Sequence, residues 1–168
     1  RPIYESLFMI TLVLSVSLLR VVMQPLPNVQ PVTVAALLVG AQLGARRGAA
    51  FAVLVAMISN FFIGDGWWTV FQAAGWASIA FAGSRLHLVS SSGLNLGRAC
   101  MASLVAAFWF DFIVSFSIID GTFGLSEFII YLGHGLPFDF LHAIGNLTFM
   151  VWLGTWLSLI HISEPTRP

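Results

Sequence analysis

Long runs of Ala, Val, Leu, Ile and Phe follow one another along this chain with few charges among them, and that scarcity limits its possible folds more than any other feature. Of 168 residues, 8% are charged and 58% are hydrophobic, with a mean hydropathy of +0.93. A soluble domain carries roughly 25% charged residues. A chain this poor in charge cannot cover a water-facing surface, so it belongs in a bilayer. Its length allows about six spans of ~20 residues with short loops, in one domain. The expected fold is all-α: a bundle of six transmembrane helices.

The formal net charge is zero and there is no lysine. No basic stripe is present to neutralise phosphates, which argues against a nucleic-acid partner. The single cysteine, Cys100, excludes an internal disulfide framework and most thiolate metal sites, and in its apolar run it reads as a packing residue. No removable signal peptide is expected. The chain starts at Arg1 rather than Met, so some N-terminal residues are expected to be missing. The stretch Leu157 to Pro168, LSLIHISEPTRP, looks like the in-frame translation of a sequencing-library adapter. Residues 157–168 are therefore set apart from a membrane domain of residues 1–156, and His161, Glu164 and Arg167 carry no argument.

Six segments follow in order. The first runs from about Tyr4 to Val22 and holds Arg20 near its end. Gln24 to Pro31, QPLPNVQP, cannot continue a regular helix, because each proline lacks an N–H and restricts its predecessor. Irregular backbone at membrane depth is tolerated where it is buried or lines a cavity. Segment two, Val32 to Gly44, is short for a span and is expected to borrow length from the proline-rich piece. A turn at Ala45-Arg46-Arg47-Gly48 leads to segment three, Ala49 to Phe62. Next comes a polar, aromatic interruption, Ser59 to Gln72 (SNFFIGDGWWTVFQ). Segment four is placed at Val70 to Ala82, a loop at His87 to Gly97, and segment five at Arg98 to Ile119. A loop from Asp120 to Gly135 precedes segment six, Leu136 to Trp156. With six spans, Arg46, Arg47, Arg85 and Arg98 share a side with both termini, opposite Arg20. The positive-inside rule puts that side in the cytoplasm. The proline-rich piece, the GDGWW turn and the Asp120–Gly135 loop then face outward together.

The polar residues of the outer half carry the chemistry. Asp111 interrupts the apolar span AAFWFDFIVSF, where an ionised carboxylate costs about 3 kcal/mol on insertion scales. It should face the bundle interior and have a partner, either a ligand or a buried structural hydrogen bond. Asp139, His142 and Asn146 fall at i, i+3 and i+7, on one helix face. That stripe reads as a ligand wall or as hydrogen-bonding glue between helices. Asp139 and His142, with His134, are also the residues a metal would use, without the usual ligand spacing to support it. Asp111 with Asp139 could form an intramembrane acid pair, with no motif around either. Trp67 and Trp68 suit a membrane interface. They equally suit a ring-binding site, since Gly64 and Gly66 permit a tight backbone path and Asn60, Thr69 and Gln72 offer directional hydrogen bonds. Trp76 extends the same face.

Four pieces of sequence carry a resemblance: PLPNVQPVT (Pro25 to Thr33), GARRGA (Gly44 to Ala49), SNFFIGDGWWTVFQ with the following AAGW (Ser59 to Trp76), and GLPFDFLHAIGN (Gly135 to Asn146). In this order they resemble the S components of energy-coupling factor (ECF) transporters, the small membrane subunits that capture vitamins. The resemblance implies six helices with cytoplasmic termini in a bacterial or archaeal cell membrane. It also implies a pocket near the outer surface for a vitamin-like small molecule, built by the 1–2, 3–4 and 5–6 loops. The partners it implies are a transmembrane coupling subunit and two ATPase subunits. The proline-rich piece and the Gly-x-x-Thr-x-x-Gln turn (Gly66, Thr69, Gln72) resemble members with cobalamin-type substrates. Where many S components carry Ala-xxx-Ala on the first helix, this chain has Thr11 and Ser15. No phosphate-binding loop GxxxxGK[ST] occurs, as expected of a subunit that leaves ATP hydrolysis to its partners. No catalytic residue, metal or cofactor is expected. Substrate-binding residues are expected at Asn28, Gln30, Asn60, Trp67, Trp68, Gln72, Trp76, Asp111, Asp139, His142 and Asn146. The alternatives are an intramembrane enzyme using Asp111, Asp139 and His142, and a structural membrane subunit.

Overall fold

The computed structural model describes residues 2–119 and 121–163, with side chains from 3 to 155 except 120. Among these residues six α-helices dominate: α1 (Pro2–Val22), α2 (Val32–Leu43), α3 (Ala45–Ile63), α4 (Trp68–Arg85), α5 (Leu96–Ser115) and α6 (Leu125–Ser163). A 3-10 turn (Phe116–Ile118) extends α5, and a short antiparallel hairpin, β1 (Val89–Ser90) with β2 (Gly93–Leu94), joins α4 to α5. Four stretches are long and apolar enough to cross a membrane: Ile3–Val22, Ala45–Ile63, Leu96–Ile118 and Leu125–Thr155. That is the architecture of a multi-pass membrane protein. Large side chains such as Ile3, Leu18, Phe61, Met101, Val105 and Ile144 are exposed on its outside, where a bilayer would cover them.

The centre is α2. Its 12 residues reach only about 18 Å at ~1.5 Å per residue, short of the ~30 Å hydrocarbon core. Val32, Thr33, Val34, Ala36 and Leu37 are all buried. A helix apolar on every side is an interior helix, which is what VTVAALLVG encodes. Small residues let its neighbours close in, the usual packing device where apolar surface alone gives no drive between helices. A Cβ on Gly40 would strike the Ala80 carbonyl of α4, one on Gly83 the Leu37 carbonyl of α2, and one on Gly48 of α3 the Gly40 backbone.

Several boundaries differ from the sequence expectation, three of them at glycine turns or the start of α6. The turn between α2 and α3 is Gly44 alone, at φ 86°, and Ala45 to Gly48 already belong to α3. Glycine takes that backbone region without strain, so one residue suffices. Similarly Gly64, at φ 133°, ends α3, its N–H bonded to the Asn60 carbonyl. The third difference is larger: the loop expected over Asp120 to Gly135 is helical from Leu125, so Glu127, Tyr131 and His134 lie on α6 with Pro137 inside the helix. The apolar stretch EFIIYL outweighs Gly133, Gly135 and the one hydrogen bond a proline forfeits. Phe128 anchors this early part against Phe116, centroids 5.3 Å apart. Asp120 lies outside the described residues. So do the side chains of the stretch set apart at 157–168, whose backbone continues α6 as far as Ser163.

The proline-rich piece is irregular as expected. It folds as successive turns, Leu26 N–H to the Met23 carbonyl and Val29 N–H to the Leu26 carbonyl, before Pro31 opens α2. Asn28 sits at φ 58°, a left-handed conformation in which Asn is enriched. The C-terminal ends of α1, α3 and α5 meet the N-terminal ends of α2 and α4 at one end of the bundle. Arg46, Arg47, Arg85 and Arg98 lie at the other, where Arg47 pairs with Glu5 at 2.8 Å.

Candidate functional site

Two hydrogen-bond networks occupy that polar end, and Arg20 is the hub of the first. It is 7% exposed. Its Nε donates to Gln30 Oε1 (3.0 Å), its Nη1 to Ser59 Oγ (2.5 Å) and Asn60 Oδ1 (2.6 Å), and its Nη2 to Gln72 Oε1 (3.3 Å). Asn60 Nδ2 in turn donates to Gln72 Oε1 and Thr69 Oγ1, both at 2.7 Å. Thr69 donates on to Asp65 Oδ1 (2.6 Å), which also takes the Gly66 N–H (2.8 Å). The interruption between α3 and α4 is therefore an ordered turn wired to α1. Below the guanidinium lies the Trp76 ring, 5.0 Å from Arg20 Cζ to its centroid and stacked on Phe110 at 4.4 Å.

The second network centres on His142, which is fully buried. Its Nδ1 meets Asp111 Oδ2 and its Nε2 meets Thr33 Oγ1, each at 2.9 Å. Trp76 Nε1, which can only donate, donates to Thr33 Oγ1 at 3.0 Å. A proton on His142 Nδ1 gives every group a role: Trp76 donates to Thr33, Thr33 to His142, and His142 to Asp111. Asn28 Nδ2 donates to the same carboxylate oxygen (3.2 Å) and to the Phe138 carbonyl (3.0 Å). Asp139 lies beside Asp111, half-buried. One turn deeper, Asn146 Nδ2 donates to the Ser103 carbonyl (3.0 Å), tying α6 to α5.

Between the networks opens a cleft of about 190 Å³, lined by Arg20, Met23, Gln24, Leu26, Asn28, Val29, Gln30, Ile63 and Gln72. The proline-rich turns form its wall, held at Gln30 by Arg20 and at Asn28 by Asp111. Val29 packs over Gly145, where a Cβ would lie 3.2 Å from Val29 Cγ1. A larger groove of about 480 Å³ runs between α4 and α5, past Ile79, Met101, Val105 and Trp109. Its lining is apolar apart from Ser78 and Arg98, which is surface suited to lipid tails or another helix. The polar groups converge on the smaller cleft.

Of the residues expected from sequence, Asn28, Gln30 and Gln72 line the cleft, and Asn60 and Trp76 hold Arg20 beneath it. Asp111, Asp139 and His142 form the adjoining network, and Asn146 lies deeper. Trp67 and Trp68 are not brought to the cleft. Trp67 is 62% exposed and packs edge-on against Phe71, while the Trp68 ring lies over Gly66. Arg20, Ser59, Thr33 and Ser103 were not anticipated as members. An arginine one turn before a proline-rich break was the available signal for the first. Serine and threonine in apolar helices are too common to single out the others. Among the described residues no group of three or more His, Cys, Asp or Glu side chains is placed to hold a metal ion, and His134 is exposed.

Residues 3–166 match the model of a family of unknown function, DUF6580, and the chain belongs to that family. Comparison with curated proteins and with solved structures finds no match to either.

Proposed function

We propose that this chain is a substrate-binding membrane subunit, an S component, of an ECF-type importer for a vitamin or related micronutrient. On this reading the six helices form one membrane bundle in a bacterial or archaeal cell membrane. Both termini are cytoplasmic, the polar end faces outward, and a coupling subunit with two ATPase subunits drives uptake. The observation that carries the reading is the cleft between the proline-rich turns and the ends of α1, α3 and α4. It is where such a subunit would receive a solute. Its apolar wall (Met23, Leu26, Val29, Ile63) faces amide and guanidinium groups, the mixture that small-molecule sites use.

The size of the cleft bears on the substrate. Ligand pockets for drug-sized molecules span roughly 300–1,000 Å³, and this one holds about 190 Å³. A cobalamin-type corrinoid would enter only after the Met23–Pro31 turns moved away, so a smaller substrate fits better. The turns have a means of moving: side-chain bonds at Asn28 and Gln30 fasten them to the helices, and such bonds exchange readily for ligand contacts. The experiment is to purify the full chain from cells fed mixed vitamins and identify retained compounds by mass spectrometry. A vitamin-like compound held by the parent and lost from Gln30→Ala and Gln72→Ala is expected. A folded preparation that retains nothing refutes the assignment.

A second reading has one observation in its favour: Asp111 and His142 are within hydrogen-bond distance, as an intramembrane acid–base pair requires. Against it, both His142 nitrogens are engaged and its ring is fully buried. Substitution Asp111→Asn separates the readings, since an enzyme would lose turnover with substrate still bound, whereas the importer subunit would change only in binding or stability.

A further inference from the structure

Arg20 is the one buried arginine among the described residues, and everything that holds it is neutral. Among those residues the one arginine ion pair is Arg47 with Glu5. A carboxylate reaches Arg20 only at second hand, Asp65 through Thr69 and Asn60. The face of Trp76 offers a weak partial compensation. A buried charge without a counter-charge is strongly destabilising unless something completes it, and an ionisable residue in a span is by default a functional-site candidate.

The guanidinium keeps an open valence, and Arg20 lines the cleft. Arg20 Nη1 is committed to Ser59 and Asn60, and Nε to Gln30. Nη2 makes only the long 3.3 Å contact with Gln72 Oε1, an oxygen already taken by Asn60 at 2.7 Å. Gln30 and Gln72 both turn their carbonyl oxygens to the guanidinium. Their amide nitrogens have no protein hydrogen-bond partner among the described residues and lie on the rim of the same cleft. One cation and two neutral donors around a small space are a receptor for oxyanions, which pair with arginine by short charge-assisted bonds.

We infer that the cleft binds the carboxylate or phosphate oxygens of a small soluble solute, with Arg20 Nη2 supplying the charge and the Gln30 and Gln72 amides flanking it. The inference rests on the importer reading for its biological direction and names the substrate class of the same site: an anion. A space of about 190 Å³ equals roughly six waters at ~30 Å³ each. It holds a small organic acid whole, or the charged head of a longer one.

The test uses the full chain in phosphatidylcholine nanodiscs and follows its melting temperature with benzoate, inorganic phosphate and, at matched ionic strength, the neutral twin benzamide. An oxyanion is expected to raise Tm where benzamide does not. Arg20→Gln should weaken the apparent affinity on the order of 100-fold, as loss of a buried charge partner does, while Arg98→Gln at the opposite end leaves it intact. Because Arg20→Gln risks misfolding, Gln30→Glu provides the complementary test. It places a carboxylate against Arg20 Nε, so it should raise the ligand-free Tm and abolish the oxyanion response. Equal shifts with benzoate and benzamide, or a Gln30→Glu variant that is less stable and still responsive, overturns the inference. Adding phosphatidylglycerol to the discs distinguishes the source. An Arg20-dependent rise that suppresses the benzoate response assigns the site to a lipid phosphate and overturns the soluble solute. An uncharged co-purified vitamin without any oxyanion response would sink this inference and leave the importer standing. An Arg20-dependent benzoate response in a chain that never associates with coupling or ATPase subunits would do the reverse.

Discussion

Thr33→Val tests how the core is wired with almost no change in shape. Thr33 Oγ1 receives Trp76 Nε1 at 3.0 Å and meets His142 Nε2 at 2.9 Å, and all three side chains are fully buried. Valine keeps the β-branch that suits the start of α2 and leaves both partners unbonded. Each orphaned buried group costs about 1–3 kcal/mol in soluble proteins. Hydrogen bonds between membrane helices average only about 0.6 kcal/mol by double-mutant cycles, because the unfolded chain in the membrane finds other partners. Two bonds therefore bracket the loss between about 1 and 6 kcal/mol. The methyl group gained in an apolar interior offsets part of it, and about 2 kcal/mol is expected. Combining the change with Trp76→Phe isolates the bond from the cavity that the smaller ring leaves. With no indole N–H to orphan, Thr33→Val should cost about 1 kcal/mol less in that background. Reversible unfolding in mixed micelles, followed by far-UV circular dichroism, measures all four corners. A single-variant change below about 0.3 kcal/mol, or strict additivity, would refute the relay from Trp76 through Thr33 to His142.

Other positions give sharper contrasts. Gly40→Ala and Gly83→Ala each drive a methyl into a carbonyl of the facing helix and should cost about 1–3 kcal/mol. Gly133→Ala on α6 meets nothing within 4 Å and should be neutral or stabilise by up to ~1 kcal/mol, with thermal stability in detergent as the common measure. The exposed pair of Arg47 with Glu5 should contribute at most ~1 kcal/mol and less in high salt, so Arg47→Gln should leave Tm nearly unchanged. Trp67→Leu should not alter ligand retention, whereas Gln72→Leu should abolish it; equal losses from both would put the ligand outside the cleft.

The elements were legible where one physical signal dominated. Unbroken apolar runs fixed five helices within a few residues, and three prolines in seven residues fixed the irregular piece. The stripe of Asp139, His142 and Asn146 pointed inward because a polar face on an apolar helix has nowhere else to go. Two kinds of feature were hidden. The start of α6 at Leu125 was lost because Glu127, His134, two glycines and Pro137 read as loop. In apolar surroundings a helix is the cheapest way to satisfy backbone groups, and that pressure overrides weak local breakers. The exact assignment of Trp67 and Trp68 was hidden because adjacent aromatics beside a glycine turn suit a pocket and a headgroup layer equally. Only the fold separates them from the cleft.

Arg20 was misread for a different reason, and correcting it changes the argument on orientation. Counted by position, it was a positive charge on the side opposite Arg46, Arg47, Arg85 and Arg98, and so weakened the asymmetry. The rule concerns charges that must stay on one side of the bilayer in short loops. Arg20 differs from the four exposed arginines near the helix ends at the other side: it is buried, turned into the bundle and bonded to α3 and α4. Removed from the count, it leaves four arginines at one end and, among the described residues, no arginine or lysine in the connections at the other, where Asp65 stands. The case for an outward-facing cleft, as proposed, is stronger for the correction. The same residue that blurred the topology supplies the only buried arginine charge at the site, so one substitution bears on both. Arg20→Gln should weaken oxyanion binding on the order of 100-fold without inverting the protein. Cysteine-accessibility labelling from the two sides of sealed vesicles should give the same pattern in parent and variant, and an inverted pattern would return Arg20 to the topological count.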